Sequence, residues 1–416
     1  MEDMVATMKG LGGKLKSLVG NPRADGKNDE LIRVQEQLRR TRRQLDKRDQ
    51  ELAELRARPG ENRPDPEPAL ATALPHRADG QDGSAPFYIL GPPKCGTSWL
   101  QATLNSHPEI FCSGEGKFFG RNLKTDHPYG SWGPEVSRAL TGLGDENHDR
   151  PSLYSALADS KDLKRWFRLN GGWTRKEDVD LHTKALVRLS MDYVFAEARS
   201  RSGKPIVGDK TPSAIHYLEE IHEFYPEARI IHIIRDGRDH AVSSVFHCWR
   251  AAKDRGGFFP LFHEGRLRRD AYYEDPESFG PGKRSIFDEA TLGALAGNWR
   301  NVVAHAREAG PRLFADRYFE VKYEELLRRP EALFAGMLRL LGADADERLV
   351  EKVVQENSFE RRSGNRAAGV EDPKSFFRKG IAGDWKNHLT ERDRRVFRRV
   401  AGDLLVDLGY EKDDHW

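Results

Sequence analysis

The segment FYILGPPKCGTSWLQ, residues 87–101, constrains the fold of this chain more than any other stretch. It opens with four apolar residues that end at Gly91. A second glycine, Gly96, stands just before Thr97, Ser98 and a run that reads as a helix. Where a strand turns sharply into a helix, the amides of the first helical turn have no intrahelical acceptor. Glycines at that turn let the backbone approach an anion closely. The segment therefore predicts an anion cradle at the carboxyl end of a buried strand, with Thr97 and Ser98 as extra donors. A tight structural turn is the alternative for this segment taken alone.

Other apolar runs resemble the first. Ile206–Val207, Arg229–Ile234 and Tyr318–Lys322 read as buried strands, and helical patterns run at about 97–105, 213–224, 239–250 and 323–341. Strands alternating with helices argue for a parallel sheet covered on both faces. The expected fold is α/β: a three-layer α/β/α domain over 87–416, with a central parallel sheet of about five strands. Residues 251–290 are rich in Gly, Pro, Arg and aromatics, and read as an irregular insertion that shapes a substrate site.

Charged residues make up 32% of the chain, above the usual quarter, so a solvated segment should lie beside the domain. Residues 28–58 supply it. Leu31, Val34, Leu38, Leu45, Leu52 and Leu55 fall on a heptad seam, with Thr41 and Arg48 in its two remaining positions. This predicts an N-terminal coiled-coil arm that makes a homo-oligomer, with a single charged helix or disorder as the alternative. Residues 59–86 read as a Pro- and Gly-rich linker, and 1–27 as a tail. Within the tail, Met4, Val5, Met8, Leu11, Leu15 and Leu18 lie among lysines and allow a weak peripheral membrane contact, against the plainer picture of a frayed end. No apolar run nears the roughly 20 residues of a transmembrane span. Lys+Arg total 68 against Asp+Glu 66, which offers no global field for nucleic acid. Cys95, Cys112 and Cys248 fit neither a disulfide framework nor a metal site, so a cytoplasmic location and no metal are expected.

Three segments carry chemistry. In the loop, Gly91 and Gly96 have the spacing of a nucleoside-triphosphate loop, but Thr97 stands where that loop has its lysine. The cation comes earlier, at Lys94, which suits a single 5′-phosphate with the ammonium aimed at a group transferred from it. Next, Arg235 ends an apolar strand and Ser243 follows on the next helix; a planar fork and a hydroxyl there can converge on one phosphate. Last, FRKGIAGDWKNHLT puts Arg378, Lys379 and Gly380 together: two cations and an amide freed by glycine.

These segments, in this order, resemble the sulfotransferases that use 3′-phosphoadenosine 5′-phosphosulfate (PAPS), whose domain is a P-loop-like α/β fold. The resemblance covers roughly 87–410, and Val321–Leu326 resembles the family's late strand–helix junction. It implies that Pro93, Lys94, Cys95, Gly96, Thr97, Ser98 and Trp99 form the 5′-phosphosulfate loop, with Lys94 on the bridging oxygen. Trp99 would stack on adenine or pack in the core. Arg235 and Ser243 would take the 3′-phosphate, and Arg378, Lys379 and Gly380 would close over it, with Asp384 and Trp385 anchoring that loop.

The family's phenol and steroid enzymes use a histidine just before the 3′-phosphate strand, but GKPIVGDKTP has none. The DKTP form resembles the heparan and tyrosylprotein enzymes, which place a glutamate after the loop helix. Glu115, in GEGKFF, is therefore the expected general base, a role that burial of its carboxylate would favour. Asp209 is the next candidate, Lys210 a second catalytic cation and Lys117 a substrate contact. His107, His216, His222, His232 and His240 read as packing or helix-start residues. The implied acceptor is a carbohydrate or glycolipid hydroxyl. A P-loop nucleotide kinase or NTPase and a non-catalytic coiled-coil scaffold are the competing functions.

Overall fold

Every residue of Phe87–Leu90 is buried, and these four form strand β1 of a five-stranded parallel sheet. The computed structural model describes residues 85–119 and 152–416, less 171, 173–174, 253, 255–260, 262 and 414. The tail, the coiled-coil arm, nearly all of the linker and residues 120–151 lie outside the described residues.

Helix α1 (Thr97–Asn105) follows β1, then β2 (Ile110–Gly114), α2 (Leu153–Leu157), α3 (Lys161–Leu169) and α4 (Val179–Ser202). Strand β3 (Ile206–Lys210), α5 (Leu218–Phe224), β4 (Arg229–Ile234) and α6 (Gly237–Arg250) come next. Then follow α7 (His263–Glu274), α8 (Glu289–Phe314), β5 (Tyr318–Lys322), α9 (Tyr323–Arg328), α10 (Pro330–Leu341), α11 (Glu347–Glu356), α12 (Phe359–Arg362) and α13 (Glu391–Asp407).

The strand order is β2-β3-β1-β4-β5. The chain crosses over β1 between β3 and β4, so the carboxyl ends of these three strands flank the switch point where open α/β sheets bind ligands. Side chains alternate along the strands and fill both faces. Tyr88, Leu90, Val207 and Ile230 pack against Val187, Met191 and Phe195 of α4 and Leu218 and Phe224 of α5. Phe87, Ile89, Ile231 and Ile233 pack on the other face against Leu100 and Leu104 of α1 and Phe334 and Met337 of α10. A third cluster joins α6, α8 and α13 through Val242, Trp299 and Phe397. None of the described helices is long and apolar enough to cross a membrane.

The strands read from sequence are present, and three features differ. Ile110–Gly114 is an edge strand that the sequence pattern did not disclose. The pattern over 323–341 is two helices, broken where Arg329 leaves the helical region before Pro330, which has no amide to continue the first helix. Within the stretch read as irregular, His263–Glu274 is a regular helix.

Gly208 lies in β3 between two neighbouring strands, and a Cβ there would stand 2.5 Å from the ring and the carbonyl oxygen of Phe87. Backbone cannot yield as a flexible side chain can. Gly208→Ala should therefore cost about 1–3 kcal/mol, read as a lowered midpoint in urea or heat unfolding. Gly293, inside α8 with open space around it, is the control. Gly293→Ala should leave stability unchanged or raise it by up to about 1 kcal/mol.

Candidate active site

The turn after β1 is held by close approach. A Cβ on Gly91 would collide with the carbonyl oxygen of Ile233 in β4, and one on Gly96 would stand 2.7 Å from the ring of Tyr323. Gly96 has φ 100° and caps α1 without any side-chain hydrogen bond, so the first amides of α1 rely on whatever the loop holds. Lys94 itself adopts φ 69°, in the left-handed region that side chains rarely enter.

Arg235 ties this loop to two others. Its guanidinium donates to the carbonyl of Lys94 and to that of Ile381 in the late basic loop, each at 3.3 Å. It lies over the Tyr323 ring at 4.7 Å and 3.8 Å from Asp239, whose carboxylate is fully buried. Asp239 in turn accepts from the amides of Gly383 (2.7 Å) and Trp385 (2.8 Å). Trp299 donates its indole N–H to the carbonyl of Arg235 at 3.0 Å. Three segments far apart in sequence thus meet at one strand end. The buried Nε of Arg235 has no partner among the described residues, and neither has the buried hydroxyl of Ser244. Ser243 is half-buried on α6, two turns beyond Arg235.

In the late loop, Arg378 and Lys379 are both engaged by carboxylates. Arg378 pairs with Glu371 at 2.6 Å and with Asp384, and Lys379 donates to Asp384 at 2.6 Å. Asn387 and His388 also reach Asp384. Burial alone would raise the Asp384 carboxyl, but the His388 contact and the charges of Arg378 and Lys379 hold it well below the carboxylate range. Gly380 has φ 70°. Asp384 thus ties together Arg378, Lys379, Asn387 and His388, while Asp239 holds the amide of Trp385.

At the adjoining edge, β2 and β3 run in register with Gly114 beside Lys210. The amide of Glu115 donates to the carbonyl of Lys210 at 2.8 Å, and Lys210 Nζ reaches the Glu115 carboxylate at 3.3 Å. Glu115 and Lys117 both take left-handed backbone, φ 53° and 48°. The Glu115 side chain is 56% exposed and that of Lys210 6%, so the described residues do not bury this carboxylate. Asp209 is the buried one. It accepts from Ser113 (2.8 Å), the Gly116 amide (2.9 Å) and Thr211 (2.5 Å), and burial raises its carboxyl. Its lone pairs hold the turn that carries Glu115.

Lys94 and Lys210 lie at the same edge. Burial, joined by the fields of Arg250, Arg235 and Lys210, pushes the Lys94 ammonium down to about 8. Cys95 and Thr97 are both buried. Trp99 donates to the carbonyl of Asn357 at 2.8 Å and packs edge-on against Tyr323 and Phe334, a packing arrangement. His107 bonds the Asp344 carbonyl at 2.9 Å and the Glu109 amide at 3.2 Å, a local packing role. His240 is buried beside Arg235 and Lys94 with both nitrogens unpartnered among the described residues, and burial followed by those two charges pushes it down to about 3. Asp239 is a site residue that the sequence pattern did not disclose. Its one signal is the Arg235-x-x-x-Asp239 spacing, which puts a carboxylate one helical turn beyond the strand-end arginine.

The Sulfotransferase family's sequence profile matches residues 86–347. Human Sulfotransferase 1C2 is 34% identical over 102 residues, a stretch that covers 21% of this chain and only 34% of that protein's length. The nodulation protein NoeE of Sinorhizobium fredii is 24% identical over 336 residues, covering 78% of this chain and 66% of that one. Among solved structures, a sulfotransferase from Alicyclobacillus acidocaldarius is 18% identical and covers 78% of this chain and 94% of its own, with a TM-score of 0.38. Mouse SULT7A1 complexed with PAP is 15% identical, covering 79% and 86%, also at a TM-score of 0.38. At that score neither adds to the fold assignment, which the sheet order already carries.

The Asp384 cluster has a pH signature. A carboxyl whose folded pKa is depressed adds stability above its unfolded value, about 3.9, and loses it as pH falls further. Unfolding midpoints should therefore drop steadily as pH falls below about 4. Asp384→Asn should cost about 3–5 kcal/mol at pH 7, because it leaves Arg378 and Lys379 underpaired, and should flatten the acid limb. Urea titrations of both proteins at pH 7 and at acid pH measure both effects.

Proposed function

The chain belongs to the sulfotransferase family, and we propose that it moves a sulfuryl group from PAPS to an acceptor hydroxyl or amine. The position of Arg235 supports this best. One guanidinium within 3.3 Å of both the Lys94 and Ile381 carbonyls draws the glycine loop and the late basic loop to the end of β4. That spacing suits the two ends of a single doubly phosphorylated adenosine. The chain's own groups fit such a donor. The Arg235 Nε is buried without a partner among the described residues, and burial, joined by its cationic neighbours, destabilises the Lys94 ammonium, so both gain from an anion.

In this scheme the amides at the start of α1, with Thr97 and Ser98, hold the 5′-phosphate. Arg235 and Ser243 hold the 3′-phosphate, and Arg378, Lys379 and Gly380 close over it. Glu115 takes the acceptor's proton. As the acceptor oxygen bonds to sulfur, the bond from sulfur to the bridging oxygen breaks, and its electron pair stays on that oxygen. Lys94 neutralises the charge that develops there, and Lys210 assists from the neighbouring strand. The acceptor would also bury Glu115, which the described residues leave half open. Asp209, with its three hydrogen bonds, suits the role of holding the Glu115 turn. We take the acceptor to be a carbohydrate or glycolipid hydroxyl. The catalytic domain would span 87–416 and work in the cytoplasm, with residues 28–58 joining copies of the chain.

Calorimetry with adenosine 3′,5′-bisphosphate should show binding without magnesium, weakened more than tenfold in Arg235→Ala and in Arg378→Ala. Failure of the wild-type chain to bind it, or competition by ATP with magnesium, would sink the donor assignment. Glu115→Gln should bind the nucleotide normally and lose about 100-fold or more in turnover. A fully active Glu115→Gln moves the base elsewhere. Free Lys94 loses its proton through about pH 8, and a bound anion restores it. Affinity should therefore fall about tenfold from pH 7 to pH 9, and Lys94→Gln should abolish that dependence.

A further inference from the structure

Arg250 ends α6 and is half-buried. It lies 2.9 Å from Nδ1 of His247, three residues earlier on the same helix. An arginine can only donate, so Nδ1 accepts and the imidazole carries its proton on Nε2. Burial, with the fields of Lys94 and Arg250, pushes His247 down to about 3, and the ring stays neutral at working pH. The pairing therefore fixes the arginine without neutralising it.

Arg250 lies close to Lys94. Its guanidinium is 5.6 Å from the centre of the Phe376 ring, and Lys94 Nζ is 4.8 Å from the same ring. Of the charges around Lys94, that of Arg250 depresses its ammonium most. Arg235 has Asp239, and Arg378 has Glu371 and Asp384. Among the described residues no carboxylate pairs with Arg250. Two cations that lie over one aromatic ring, with no carboxylate partner among the described residues, form a site for an anion. Lys94 is already assigned to the bridging oxygen, so the anion left for Arg250 is the group being transferred.

We propose that Arg250, oriented by neutral His247, contacts the non-bridging oxygens of the sulfuryl group as it passes from donor to acceptor. The proposal rests on the sulfotransferase assignment above. A planar guanidinium can donate to two of the three peripheral oxygens while Lys94 holds the leaving one. No proton moves through Arg250. The bond formed is acceptor oxygen to sulfur, the bond broken is sulfur to bridging oxygen, and the acceptor's proton goes to Glu115. His247 is a positioning residue that acts only through the arginine.

The test compares two nucleotides on the full-length chain, adenosine 3′,5′-bisphosphate and PAPS, by calorimetry without acceptor. The wild type should bind PAPS about tenfold more tightly, since only PAPS carries the group that Arg250 touches. In Arg250→Ala, and in Arg250→Met, which keeps the apolar stem, that advantage should fall to about one while bisphosphate affinity stays within about twofold. His247→Ala should lose most of the advantage, and His247→Gln, whose amide oxygen can still accept from Arg250, should recover it. Equal wild-type affinity for the two nucleotides, or an Arg250→Ala protein that keeps the advantage, overturns the assignment of Arg250 and leaves the donor assignment standing. A wild-type chain that binds neither nucleotide overturns both.

Discussion

The site depends on the Arg235 guanidinium, which reaches two backbone carbonyls that lie 141 and 146 residues away in the chain. A buried cation is tolerated only where polar groups replace the water it has lost. Here the Lys94 and Ile381 carbonyls, the Asp239 carboxylate and the Tyr323 face do so from different sides. Asp239 extends the arrangement by taking the amides of Gly383 and Trp385. Its carboxyl is raised by burial, which Arg235 and those amides oppose. Each partner thus limits the desolvation cost of another, and removing one leaves a buried charge exposed to the whole penalty.

Strain gathers at the same edge. Lys94, Glu115 and Lys117 hold left-handed backbone that costs of order 1–3 kcal/mol each. The hydrogen bonds of Asp209 to Ser113, Gly116 and Thr211 are what hold the second of these turns against relaxation. The parallel sheet beneath supplies the rigidity. β1 is hydrogen-bonded to β3 on one side and to β4 on the other, so the three strand ends are fixed before any loop is added.

Much of the fold was legible because the buried strands are nearly continuous apolar runs and the glycine turn needs a strand before it and a helix after. Ile110–Gly114 escaped because an edge strand with Cys112, Ser113 and Gly114 has no apolar run and no clear alternation, and is defined by its pairing with β3. The helix at His263–Glu274 escaped because its arginines mask the periodicity, and of its residues only Arg269 and Tyr272 are fully buried. At the site, Lys94, Arg235 and the late basic loop were visible as cations in a strict pattern. Asp239, Glu371 and the Arg250–His247 pair were not. Their roles arise from contacts across the fold, or from an environment that no linear spacing encodes.

The pairing of Arg378 and Lys379 with Glu371 and Asp384 bears on how the loop would respond to ionic strength. With both cations already matched in a shielded place, mobile ions have little hold on the loop's shape, since screening acts weakly on buried pairs. An incoming phosphate would compete with these carboxylates for the same donors, rather than meet bare charge. A small free anion has only that exchange to gain from. A nucleotide held at its other end by the glycine turn, as proposed, would have far more, so the internal pairing would act as a filter against the sulfate and phosphate dissolved around it.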